Sequence, residues 1–112
     1  MATIFSKVIS REIPADIVYE DERCLAFRDI NPQAPTHVLL IPKKELARLV
    51  DATSADEPLL GHMMVVAGKI ARDLGCEDAF RLVVNNGAEA GQSVFHLHLH
   101  ILAGRPFDWP PG

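Results

Sequence analysis

The chain is poor in the residues that would tie it to several broad classes. It has two cysteines in 112 residues, Cys24 and Cys76. Neither belongs to a Cys-x-x-Cys pair, so no disulfide framework is indicated and each reads as a small buried hydrophobe. Lysine and arginine total 11 against 15 acidic residues, a formal charge of −4, and they form no long run. A protein that grips a nucleic-acid backbone needs a basic stripe, so that class is set aside. No apolar stretch approaches the ~20 residues of a membrane span, and residues 1–7 lack the apolar segment of a secretory signal. Neither nucleic acid nor membrane is an expected partner, and the expected location is the cytoplasm.

What is present suits one globular domain over residues 1–112, with 104–112 as a C-terminal tail. Hydrophobic side chains make up 48% and charged ones 23%. A folded chain of this size hides roughly two-thirds of its unfolded surface, enough for a core without staples.

Residues 4, 5, 8 and 9 are apolar at helical spacing, which predicts a short amphipathic turn ended by Pro14. Residues 17–20 and 24–30 read as a hairpin, with Asp21-Glu22 as its turn. Asn31-Pro32-Gln33-Ala34-Pro35 is a stiff loop, because both prolines fix φ. Residues 37–41 form a nearly continuous aliphatic run, a central strand buried on both faces. A long helix is predicted over about residues 54–74, with Ser54 and Glu57 as a capping box and Gly75 closing it. His62 falls inside it and reads as a solvated or packing side chain. Residues 80–85 make a further strand, and 86–93, rich in Gly and Asn, a functional loop. About five strands and one long helix point to α+β with a mainly antiparallel sheet.

The densest signal is residues 96–102. His96, His98 and His100 alternate with Leu97, Leu99 and Ile101, so a strand here would place three imidazoles on one face and three aliphatic side chains on the other. Three readings follow. The histidines could ligate a metal, although no carboxylate or thiolate lies nearby in sequence to complete the set. They could be an exposed polar face, although strict alternation after a Gly-Gln-Ser loop argues against that. They could serve nucleophilic catalysis at phosphorus, with neutral His98 attacking, Ser93 supplying a hydroxyl and the Gly91-Gln92-Ser93 backbone binding anion.

Residues 96–102 fit the pattern His-φ-His-φ-His-φ-φ at every position, and so resemble the histidine-triad (HIT) family. Ile4-Phe5, Glu12-Ile13-Pro14-Ala15, Asp29-Ile30, Pro32-Gln33-Ala34-Pro35-Thr36-His37 and Ile41-Pro42-Lys43-Lys44 extend the likeness toward its Hint branch. So do Val84-Asn85, Gly91-Gln92-Ser93-Val94 and the terminal Trp109-Pro110-Pro111-Gly112. The resemblance implies a five-stranded antiparallel sheet with one long helix and a short N-terminal helix, assembled as a homodimer. It implies cleavage of the P–N bond in purine nucleoside 5′-phosphoramidates, AMP or GMP joined to an amine, aminoacyl or lysyl group. Alternatives are a dinucleoside polyphosphate hydrolase, or a purine-nucleotide-binding dimer acting mainly through interactions.

By position, the resemblance makes His98 the nucleophile and His100 a phosphate contact. His96 and His37 would complete a network orienting His98, and Ser93 would assist amine departure. Asp29 would hold the ribose, with Phe5, Phe27 and Ile30 around the base. Asn85, Gly91, Gln92, Ser93 and Val94 would hold ribose and phosphate, and Trp109 would reach the partner protomer's site. No cofactor or metal is expected. Some HIT proteins carry an N-terminal Cys-x-x-Cys that helps bind zinc, but here those positions are Thr3 and Ser6.

Overall fold

The computed structural model describes residues 2–112. Its first helix, α1 (Ile4–Ile9), opens on a reciprocal cap. Thr3 Oγ1 accepts the Ser6 N–H at 3.3 Å, and Ser6 Oγ accepts the Thr3 N–H at 2.7 Å. Six residues cannot sustain a helix through their own hydrogen bonds. Burial of Phe5 and Val8 does it instead.

The hairpin strands are β1 (Ile17–Glu20) and β2 (Cys24–Arg28). Their turn is held by Asp21 Oδ1, which accepts the N–H groups of Arg23 and Cys24 at 2.7 and 2.9 Å. β3 (Thr36–Pro42) follows, then helix α2 (Glu57–Asp73), β4 (Phe80–Val83) and β5 (Leu99–Ala103). All neighbours pair antiparallel, in the order β1-β2-β3-β5-β4. The expected α+β architecture is the observed one. β3 is central and almost wholly buried, as its aliphatic run predicts.

Several boundaries differ from expectation. β2 ends at Arg28 rather than residue 30, and β4 at Val83 rather than 85. α2 does not start at Ser54: a 3₁₀ turn, Ser54–Asp56, precedes it. The capping box lies one residue earlier than predicted, with Asp56 Oδ2 accepting the Thr53 N–H at 2.9 Å. The larger correction concerns the histidines. β5 begins at Leu99, so His96 and His98 precede it. The Leu97 N–H goes to the Leu46 carbonyl at 2.6 Å, and the His96 and His98 rings each bond a backbone carbonyl. Those bonds hold the segment where a strand ladder would otherwise be needed.

The sheet separates two apolar layers. Cys24, Ala26, Val38, Leu40, Leu99 and Ile101 face α2, packing on Met63, Val66, Ala67 and Ile70. The alternate positions Leu25, Phe27, Leu39 and Ile41 pack with Phe5 and Val8 of α1 on the opposite side. Period-two alternation therefore puts His37 and His100 on the α1 face, since their strand neighbours point to α2.

Candidate active site

A cleft of about 260 Å³ lies on the α1 face. Its apolar lining comes from Ile4, Phe5, Val8, Ile13, Pro14, Ala15, Phe27, Ile30, Leu39 and Val94; its polar lining is Arg28, Asp29, Ser93, His98 and His100. Phe5 meets both Phe27 and His98 edge-on, with ring centroids 5.4 and 5.0 Å away. The His98 and His100 rings lie 5.0 Å apart.

Backbone groups fix the proton positions on these rings. A carbonyl can only accept, so the 2.7 Å contact between His98 Nδ1 and the His96 carbonyl places the proton on Nδ1. His98 Nε2 is left with its lone pair. A backbone N–H can only donate, so the Gln33 N–H at 3.0 Å makes His37 Nδ1 an acceptor and leaves the proton on Nε2. That Nε2–H donates to His100 Nδ1 at 2.9 Å. His100 therefore carries its own proton on Nε2. The two cleft histidines are complementary: one offers a lone pair, the other an N–H.

All three rings are pushed toward the neutral form. Burial lowers the His98 pKa, outweighing the His96 carbonyl that favours its protonated form. Burial, followed by the neighbouring His98 and His37, pushes His100 down to about 4 against the pull of Asp29. His37 is lowered by burial in opposition to Asp29.

Phe5, Phe27, Asp29, Ile30, Ser93, Val94, His98 and His100 thus meet at one cleft, while the other expected site residues lie elsewhere. His37 sits behind His100 rather than behind His98. His96 does not line the cleft; its Nε2–H bonds the Pro42 carbonyl at 2.7 Å beside a separate cavity with Thr3, Leu46 and Phe95. The buried Gln92 amide donates to the Ala47 and Val94 carbonyls and accepts the Gly87 N–H, so its side chain anchors the loop. The Asn85 amide packs 3.4 Å from the position a Cβ on Gly91 would take, and Gly91 has φ +100°. Trp109 is 82% exposed and Ile30 is 99% exposed. Arg28 and the wall of Ile13, Pro14 and Ala15 were not anticipated as site residues, although the stretch 12–15 was itself a marker of the resemblance.

The residues do not fit an N-terminal zinc. Thr3 and Ser6 bring hydroxyls rather than thiolates, and both are engaged in the α1 cap. Asp29, His37 and His100 each place a potential ligand atom within 4.8 Å of the others, so a carboxylate does reach the histidines in space. The fixed Gln33 N–H nevertheless keeps the His37 proton on the nitrogen that would have to ligate.

The HIT domain family pattern matches residues 10–107. The chain belongs to the HIT domain family. An uncharacterized HIT-like protein of Synechocystis is 70% identical over 98% of this chain and 96% of its own length. The crystal structure of a HIT family hydrolase from Legionella pneumophila superposes with a TM-score of 0.96 at 47% identity, covering 99% of this chain and 100% of that one. A histidine triad nucleotide-binding protein from Candida albicans superposes at 0.84 with 30% identity, over 97% of this chain and 83% of that one. Among the described residues of this HIT protein, no helix is long and apolar enough to cross a membrane.

Proposed function

We propose that the protein is a nucleotide hydrolase of the Hint branch, cleaving the P–N bond of purine nucleoside 5′-phosphoramidates. The carrying observation is the His98 lone pair on Nε2, set free by the Nδ1–H bond to the His96 carbonyl, inside a cleft with an apolar wall. The base would lie among Phe5, Phe27 and Ile30, and the ribose hydroxyls on Asp29. Asn85, Gly91, Gln92 and Val94 would shape the loop beside ribose and phosphate.

His98 Nε2 attacks the α-phosphorus, and the P–N bond breaks as the N–P bond forms. The ring becomes cationic, and its Nδ1–H bond to the carbonyl strengthens with that charge. The His100 Nε2–H donates to a non-bridging oxygen, where charge develops. The departing amine takes its proton from Ser93 Oγ, which regains one from solvent. Water then attacks phosphorus and gives up its proton to solvent as the P–Nε2 bond breaks, releasing the nucleoside monophosphate and neutral His98. These steps need no cofactor. The names of the Legionella and Candida proteins, hydrolase and nucleotide-binding, agree with this class of chemistry.

The same reading includes a homodimer. β4 is an edge strand, and α2 turns Met64 and Val65 outward at 56% and 74% exposure. Gly61 and Gly68, with nothing near their missing side chains, flank that pair and allow close helix approach. Trp109 would then reach the partner's cleft.

The test is to quench turnover of a labelled adenosine phosphoramidate in denaturant and look for nucleotide on the protein. Label on wild type and none on His98→Ala supports the mechanism; unchanged turnover in the variant overturns it. Parallel assays with a dinucleoside polyphosphate decide between the two substrate classes, and binding without turnover of either would leave the interaction dimer.

A further inference from the structure

On the other face of the sheet, three different ligand chemistries converge where α2 crosses the β1–β2 turn. Asp21 Oδ2 lies 2.6 Å from His62 Nε2 and 3.7 Å from Cys24 Sγ, and also accepts the Tyr19 hydroxyl at 2.8 Å. The carboxylate, imidazole and thiol atoms all fall within 4.8 Å of one another. Tying α2 to the turn requires the Asp21–His62 bond alone. Packing at position 24 requires only a small apolar side chain. Neither explains a thiol aimed at the same carboxylate oxygen.

We propose that Asp21, Cys24 and His62 form a binding site for one zinc-type divalent ion, separate from the catalytic cleft. Carboxylate, imidazole and thiolate are all zinc ligands, and in a tetrahedral site with bonds of about 2.0–2.3 Å they stand roughly 3.3–3.6 Å apart. The thiol–carboxylate spacing already matches. The imidazole and carboxylate must separate by under about 1 Å, as an ion replaces the proton between them. The buried Cys24 forms the floor, and the side chains of His62 and Asp21, 22% and 26% exposed, form the mouth. The Tyr19 hydroxyl or a water completes the four.

On loading, the Cys24 S–H bond breaks and its proton leaves to solvent. The His62 proton passes from Nε2 to Nδ1 through solvent exchange, and Nε2 takes the ion. Nδ1 now accepts from the Arg23 guanidinium at 3.1 Å, but Arg23 is an exposed side chain and turns away. This separates the site from Asp29, His37 and His100, where the opposing donor is a fixed backbone N–H. Burial pushes the Cys24 thiol up to about 12 in the ion-free form, and a bound cation reverses that preference.

The probe is Co(II) added to chelator-treated full-length protein. Wild type is expected to show thiolate-to-cobalt charge-transfer absorption that saturates at one equivalent. Cys24→Ser removes the band. His62→Gln weakens binding at least about tenfold, since even outer-shell partners of a metal site cost that much. At equal concentration, zinc raises the thermal midpoint of wild type more than that of His62→Gln. His98→Ala keeps the band. Far-UV circular dichroism verifies the fold of each variant, and His62→Gln, at a part-exposed helix position, decides the matter if Cys24→Ser does not fold. Absence of the band in wild type, its survival at full affinity in His62→Gln, or its loss in His98→Ala each overturns the proposal.

Discussion

His37 Nε2 stands 2.9 Å from His100 Nδ1, and that contact, with the Gln33 N–H behind it, decides which nitrogen of His100 carries the proton in the cleft. In the proposed mechanism His37 is thus a positioning residue for His100. His37→Ala should lower kcat by about tenfold to a hundredfold, the usual cost of losing an orienting partner, with KM less affected. Steady-state kinetics of the variant against wild type check it. His100→Ala removes the donor itself and should cost about 10²–10³-fold in kcat.

In the proposed mechanism both cleft histidines act in their neutral forms, so acid should silence turnover. His98 and His100 are each shifted down from the ordinary imidazole value of about 6.5. The acid limb of kcat/KM should therefore lie below that value. A limb at or above it would contradict the buried, neutral pair.

The same shift sets a stability trend. In the unfolded chain His100 binds its proton near pH 6.5, and in the folded chain at about 4. Between those values the unfolded state holds more protons, so stability falls as pH drops through the window and the effect levels off below it. Denaturant midpoints across this range should fall less steeply in His100→Asn than in wild type.

Gln92→Ala leaves the Gly87 N–H and the Ala47 and Val94 carbonyls without their side-chain partner. The expected loss is about 1–3 kcal/mol in chemical denaturation, the usual cost of orphaned buried polar groups. KM should rise as well, because the loop carrying Ser93 loses its anchor.

Val65→Asp places a charge at the centre of the proposed α2 interface. Sedimentation should show a dimer for wild type and a monomer for the variant, with the fold intact by circular dichroism. A dimer that persists would move the interface elsewhere.

Local patterns announced the sheet, α2, the N-terminal turn and the meeting of His98 and His100 on one face. They failed where distant partners decide the outcome. Alternation implied a strand from His96, but the Pro42, His96 and Leu46 carbonyls bind that segment first. His62 reads from sequence as a solvated or packing side chain because Asp21 is 41 residues away in the sequence. Gln92 read as part of an anion-binding loop, and nothing local shows that its amide folds back onto Ala47. His37 was placed in the histidine network, yet which ring it serves depends on the β3–β5 register that sets Leu39 opposite His100.

Helix α1 supplies Ile4, Phe5 and Val8 to the cleft wall, yet at six residues it is too short to stand without that packing. A bound base would add to the same apolar cluster, making ligand and helix parts of a single cooperative unit. Occupancy would then be legible far from the phosphate: amide hydrogens of residues 4–10 would exchange with deuterium more slowly as the cleft fills.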